Sequence, residues 1–249
     1  MTPTAWESFV KTREAYRSKV EQLEKSLPEL QAILQKLVDS RTPSYRVDTP
    51  IVYNCALDDV TQDSEIRLIL VGDNPGRREQ AAENRRYLVG PSGKIAEKFF
   101  RDNPSLNIDF RKNVIILNKT PIHTPRTVEL RELCRLGGSS LEKALVESQR
   151  FMANLLAEFQ QAFSKENGPV LPVWITGYSE MKKNGVFAVY TNELKSMYAN
   201  SAFGEAVFLY RHFSMNQFTI DIKQQAVPGE SLVQSLGRIG KAYRQRFLF

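Results

Sequence analysis

Four short apolar runs, each followed by a helical pattern, constrain this chain more than any other feature. They are "IRLILVG" from Ile66, "NVIILN" from Asn113, "VLPVWITG" from Val170 and "EAVFLYRHFS" from Glu205. A strand buried on both faces reads as an unbroken apolar run. Between them lie the helical "SGKIAEKFFRD", the long "SLEKALVESQRFMANLLAEFQQAF" with a Ser139/Glu142 cap, and a short helix from about Ser179. A closing helix, "GESLVQSLGRIGKAYRQRF", places Leu232, Leu236, Ile239 and Tyr243 on one face, with Arg238, Lys241, Arg244 and Arg246 elsewhere. Strand and helix alternating four times imply a parallel sheet covered on both sides. The expected fold is α/β, three layers in α/β/α order around a four-stranded parallel sheet, with extra N-terminal helices.

The first 60 residues follow a different pattern. Residues 4 to 25 read as a charged helix. A second helix is expected at "SLPEL", with Ser26 as cap, Glu29 closing a capping box and Pro28 in the first turn. Val20, Leu23, Leu27, Leu30, Leu34 and Leu37 alternate spacings of three and four, as a coiled coil would. Pro28 favours two short helices packed on a core instead. After a loop with Pro43 and Pro50, "PIVYNCAL" reads as an edge strand. With 249 residues and no internal repeat, the chain reads as one domain, 1–249, in which residues 1–60 form a helical extension.

Bulk properties exclude several classes. Cys55 and Cys134 are the only cysteines, so neither an all-cysteine zinc site nor a four-cysteine iron–sulfur cluster can be built; no metal and no cofactor are expected. The N-terminus lacks a signal-peptide core, and no stretch approaches the roughly 20 apolar residues of a membrane span. A soluble, cytoplasmic monomer without a membrane partner is expected. The net charge of +6 is compatible with a polyanionic partner such as DNA without requiring one. "GPSGK" resembles the end of a phosphate-binding loop, but Leu88 stands where the first glycine is needed and Ile95 where Ser or Thr is needed.

In open parallel sheets ligands bind beyond the carboxyl ends of the strands. Those ends are Gly72-Asp73-Asn74-Pro75-Gly76, Asn118-Lys119-Thr120-Pro121, Gly177-Tyr178 and His212-Phe213-Ser214. Two amides and one of only two histidines are thereby delivered to one edge of the sheet. Each has a simpler reading: Asn-Pro-Gly is a common turn, Asn118 a loop start, His212 a structural histidine. Lys119, Arg126, Arg77, Arg78, Arg85 and Arg86 read either as solvated surface or as a phosphate track. His123 in "TPIHTPRT" is assigned DNA contact or no role.

Taken together, these strand ends resemble the uracil-DNA glycosylase superfamily. "GDNPG" is similar to its first motif, in the G-x-N-P-G form of the mismatch-specific and single-strand-selective branches. "NVIILN" resembles the second, which ends in the asparagine that reads uracil, and "RHFSMN" the third, H-P-S-P, with His212 and Ser214 matching and Phe213 and Met215 departing. "YLVGPSG" resembles P-F-V-G-x-A-G through Val89, Gly90 and Gly93, and "VWITG" the strand between motifs two and three. The resemblance runs from about Ile66 to the C-terminus. It implies base excision from DNA by Asn74, Asp73 and His212, with Asn118, Leu88, Tyr87, Gly72 and Gly76 around the base. Arg77, Arg78, Lys119, Ser214 and Met215 would contact DNA. Leu88 stands where the family's stacking aromatic does, with Tyr87 one place earlier. Met215 or Phe218 would act as the wedge that fills the vacated base position. Gly76 occupies the position of a tyrosine that blocks the thymine methyl in the most selective branch, so a permissive pocket is expected. The alternatives are a member of the fold that binds DNA or a nucleotide without catalysis, and an unrelated small-molecule enzyme on a doubly wound sheet.

Overall fold

The computed structural model describes residues 1–164, 169–199 and 201–248. Helix α1 spans Pro3–Ser26 and α2 Leu30–Asp39. Then follow β1 (Leu68–Gly72), α3 (Pro91–Asp102), β2 (Val114–Asn118), α4 (Glu129–Phe163), β3 (Val173–Thr176), α5 (Ala188–Tyr198), α6 (Ala202–Glu205), β4 (Val207–Tyr210), α7 (Gln217–Gln224) and α8 (Leu232–Phe247). The strands form one parallel sheet in the order β2-β1-β3-β4.

The three layers follow from the two-residue period of a strand. Ile69, Val71, Ile115, Leu117, Val173, Ile175, Val207 and Leu209 face a core shared with α1, α2, α4 and α5. Leu68, Leu70, Val114, Ile116, Trp174 and Tyr210 face the opposite core, built with α3, α7 and α8. Both faces are apolar, which is why the strands read as unbroken runs. The closing helix is held at its start by a capping box between Ser231 and Gln234, and its Leu236 and Ile239 are buried.

Several local expectations change. Helix α1 runs through Ser26, whose hydroxyl donates back to Leu23 O (2.9 Å) instead of capping α2; Glu29 makes no side-chain cap. "PIVYNCAL" is not a strand. It makes one antiparallel bridge, Ile51 to Ile122, before Asn54 diverts it into a tight helical turn over Cys55–Asp59 by accepting from Ala56 N (3.2 Å). The same Asn54 donates to Ile116 O (2.8 Å), covering the outer edge of β2. Helix α4 begins at Glu129, ten residues before the expected cap, and breaks at Gly138 (φ 66°). The short helix at Ser179 resolves into a turn over Tyr178–Met181 and then α5. Arg244 is buried on α8, donating to Gly204 O (2.6 Å) and pairing with Glu205 (2.8 Å).

Residues 1–60 are an integral part of the packing. Phe9, Tyr16, Val20, Leu23, Leu34 and Leu37 belong to the same core as β1 and β2. The hydroxyls of Tyr16 and Tyr87 meet each other and the carbonyl of Val52, joining α1 to the loop before α3.

Candidate functional site

The carboxyl ends of all four strands open into one cleft of about 680 Å³, whose walls include Asp73, Asn74, Asn118, Tyr178 and His212. The sheet register explains the convergence: Gly72 lies beside Asn118, and Thr176 beside Tyr210, so the residues after each strand emerge at one level. Close approach fixes two glycines. A Cβ on Gly72 would sit 2.6 Å from Asn118 Oδ1, and one on Gly177 (φ 80°) 2.6 Å from Asp73 Oδ1.

Hydrogen bonds assign the Asn74 amide. Thr124 Oγ1 donates to Arg126 O (3.0 Å), so it accepts from Asn74 Nδ2 (2.9 Å). The Thr127 hydroxyl donates to Asn74 Oδ1 (3.0 Å). A carbonyl oxygen has a second lone pair, and this one belongs to a side chain in the cleft wall.

His212 is fixed equally well. Ser214 N donates to its Nδ1 (3.0 Å), so the ring proton resides on Nε2. Burial pushes the imidazole below its ordinary value; the Asp73 charge opposes this and Lys119 adds to it. The side chain is therefore a neutral donor at pH 7.

Asn118 is 2% exposed, and its Nδ2 is sealed from solvent with no acceptor in hydrogen-bonding geometry. A buried amide N–H without a partner costs about 1–3 kcal/mol. Leu88 (φ 51°) is buried and forms an aliphatic wall; Gly76 has open space where a side chain would project. Ser214 and Met215 also line the cleft, and Met215 (φ 51°) is 77% exposed at its mouth.

Other expected site residues lie elsewhere. Lys119 cannot touch DNA phosphate: none of its surface is exposed, and Nζ is held by Asp73 Oδ1 (2.6 Å), Thr176 O (2.7 Å) and Gly72 O (3.3 Å). Desolvation pushes its pKa down, against the Asp73 charge. Tyr87 does not stack on a base; it is buried with its hydroxyl on Val52 O (2.6 Å). Phe218 is no wedge, being buried in a stack with Phe213 (centroids 4.3 Å apart). His123 is fully buried: Nδ1 donates to Pro75 O (2.7 Å), leaving Nε2 to accept from Tyr45 (2.9 Å). Burial lowers its pKa to about 4. Arg77 and Arg78 are exposed outside the cleft wall, Arg77 lying 4.8 Å over the Tyr45 ring.

The cleft also contains residues that the motifs did not mark. Thr124 and Thr127 orient Asn74, while Arg126 and Arg211 supply positive charge along the wall. Arg126 pairs with Glu129 (2.8 Å) and Arg211 with Asp221 (3.2 Å). Most notable is Glu79, 7% exposed, accepting from Gly76 N (3.2 Å). Burial pushes its carboxyl up to about 7, although Gly76, Leu88, Arg111 and the Asn118 amide pull it down. Its sequence signal was a carboxylate three residues past Gly76, hidden within a run of arginines. Among the described residues no three His, Cys, Asp or Glu side chains converge as a metal site requires, and no helix is long and apolar enough to cross a membrane. No protein-family model matches the chain, and a search of the curated proteins finds no match.

Proposed function

We propose that this protein is a monofunctional DNA glycosylase that hydrolyses the N-glycosidic bond of uracil, or a related deaminated or modified base, flipped out of DNA. The observation that carries this reading is the convergence of the Asn118 side chain, the Nε2–H of His212 and the amide of Asn74 on the walls of one cleft. Uracil offers O4 as acceptor beside N3–H as donor, the complement of an asparagine amide. A base in a duplex must leave the stack before any pocket can read it.

The chemistry follows from these positions. The C1′–N1 bond breaks with its electron pair moving onto the base, and negative charge develops on O2. The His212 Nε2–H stabilises that charge as a preorganised donor, worth a factor on the order of 100 or more in rate. Water bonds to C1′ through its oxygen and gives a proton to the departing base. Asn74 orients that water without deprotonating it, which suffices once the glycosidic bond has largely broken. Asp73 contributes negative charge near the sugar cation, moderated by Lys119. Met215 fills the vacated stack, and the basic rim attracts phosphates.

The binding-only reading draws support from two features: both ends of the Asn74 amide are engaged by threonines, and Leu88 stacks less well than an aromatic ring. Single-turnover assays on oligonucleotides carrying uracil, 5-hydroxymethyluracil, thymine opposite guanine, or hypoxanthine separate the two. With open space at Gly76, excision of uracil and of 5-substituted uracils is expected. DNA binding without excision of any of the four would favour the binding-only protein.

A further inference from the structure

His123 is one of the chain's two histidines, and the excision chemistry above leaves it unused. Its ring is wholly enclosed, with Nδ1 donating to Pro75 O (2.7 Å) and Nε2 accepting from the Tyr45 hydroxyl (2.9 Å). Pro75 follows Asn74 directly, and the peptide that its carbonyl begins is held at both ends, because Gly76 N donates to Glu79 Oε2 (3.2 Å). Thr124, the residue after His123, accepts from Asn74 Nδ2 (2.9 Å). Two consecutive residues of the loop after β2 therefore grip two consecutive residues of the turn after β1. The first 60 residues brace this grip. His123 N donates to Pro50 O and Val52 N to Pro121 O, both at 2.9 Å, on either side of the Ile51–Ile122 bridge.

We propose that His123 is a positioning residue for base excision: together with Tyr45 it holds the Pro75 carbonyl, and so fixes the turn that presents the Asn74 amide to the attacking water. This rests on the base-excision reading of the cleft. The threonine hydroxyls set which end of the Asn74 side chain faces the cleft, but not where its backbone sits. The proline ring already fixes φ at Pro75, so the direction of its carbonyl decides how the chain leaves the turn. A neutral imidazole suits the place, because it has one donor and one acceptor nitrogen and each partner fixes the role of the other. Burial keeps the ring neutral at pH 7, so the donor to Pro75 is constant. A displacement of about 1 Å at the reacting groups costs on the order of 100-fold in rate even when its cause is remote. The N-terminal extension thereby takes part in the site through Tyr45.

Two variants of His123 test this. His123→Leu removes both ring nitrogens, whereas His123→Asn keeps an N–H donor close to the place of Nδ1. The readouts are kcat and KM on a uracil-containing oligonucleotide, and the side-chain amide signals of Asn74 in 15N NMR spectra of the protein alone. In His123→Leu, kcat is expected to fall by about 10- to 100-fold with KM unchanged, and the Asn74 signals to shift or broaden. His123→Asn should restore most of the rate and bring the signals back towards their wild-type positions. A merely structural histidine would leave kcat per folded molecule at the wild-type value in both variants, and that result overturns the proposal. Unmoved Asn74 signals in folded His123→Leu overturn it too. If His123→Leu does not fold, Tyr45→Phe takes its place in both readouts, since it removes one hydroxyl and keeps the ring; a wild-type rate there overturns the proposal. Wild-type protein that excises no uracil contradicts the base-excision reading, and the Asn74 signals alone then decide whether His123 fixes the turn.

Discussion

Lys119 Nζ lies 2.6 Å from Asp73 Oδ1, and no part of the lysine side chain reaches solvent. The ammonium also meets carbonyls at the ends of β1 and β3, so one side chain from the end of β2 ties three strands together directly beneath the cleft. A buried charge of this kind is stable only with its partners in place, and removing one partner strands the other.

Lys119→Met is therefore expected to destabilise the fold by about 3–5 kcal/mol, because it leaves Asp73 without its counter-charge. Adding Asp73→Asn should recover much of that loss. Urea denaturation of the two variants checks this. A single variant as stable as the wild type would show that the pair contributes little.

His212→Ala and Asn74→Ala should each lower base excision by a factor on the order of 100 or more. Affinity for DNA should barely move, since phosphate contacts dominate it. Rapid-quench rates alongside equilibrium binding separate the two effects. Near-normal turnover in both variants would remove these residues from the mechanism.

Arg77 and Arg78 are exposed beyond the cleft wall. Replacing both by glutamate should weaken binding to all sequences alike and flatten the dependence of log affinity on log salt by about 1 to 2 units. If the slope stays the same, these arginines only solvate the surface and Arg126 and Arg211 are the cations to test next.

Glu79 gives a pH signature in stability. Its folded-state pKa is raised to about 7 from an ordinary 4.5, so the native state holds the proton more tightly than the unfolded chain. The resulting stabilisation is complete below the unfolded value and is lost as pH rises through the folded one, by up to roughly 3 kcal/mol. Glu79→Gln should lose less stability than the wild type between pH 5 and pH 8, roughly the window spanned by these two values. Parallel pH–stability curves for the two proteins would mean that Glu79 ionises freely.

The sheet was legible because strands buried on both faces carry their own signal, and the cleft because parallel strands deliver their ends to one edge. What was not legible depended on contacts distant in sequence. Lys119 looked like a surface cation until Asp73 and Thr176 enclosed it. Tyr87 looked like a pocket aromatic until Tyr16, 71 residues earlier, drew its hydroxyl into the core. Ser26 failed as a cap because the preceding helix kept it. Glu79 gave no periodic or motif signal at all, and only its burial beside Asn118 marks it.

Product analysis tests base excision most directly. Protein mixed with a uracil-containing oligonucleotide should release free uracil and leave an equal amount of alkali-labile abasic sites, both measured by mass spectrometry, with His212→Ala slowing the two together. Release of no free base under conditions where the oligonucleotide is fully bound would contradict it.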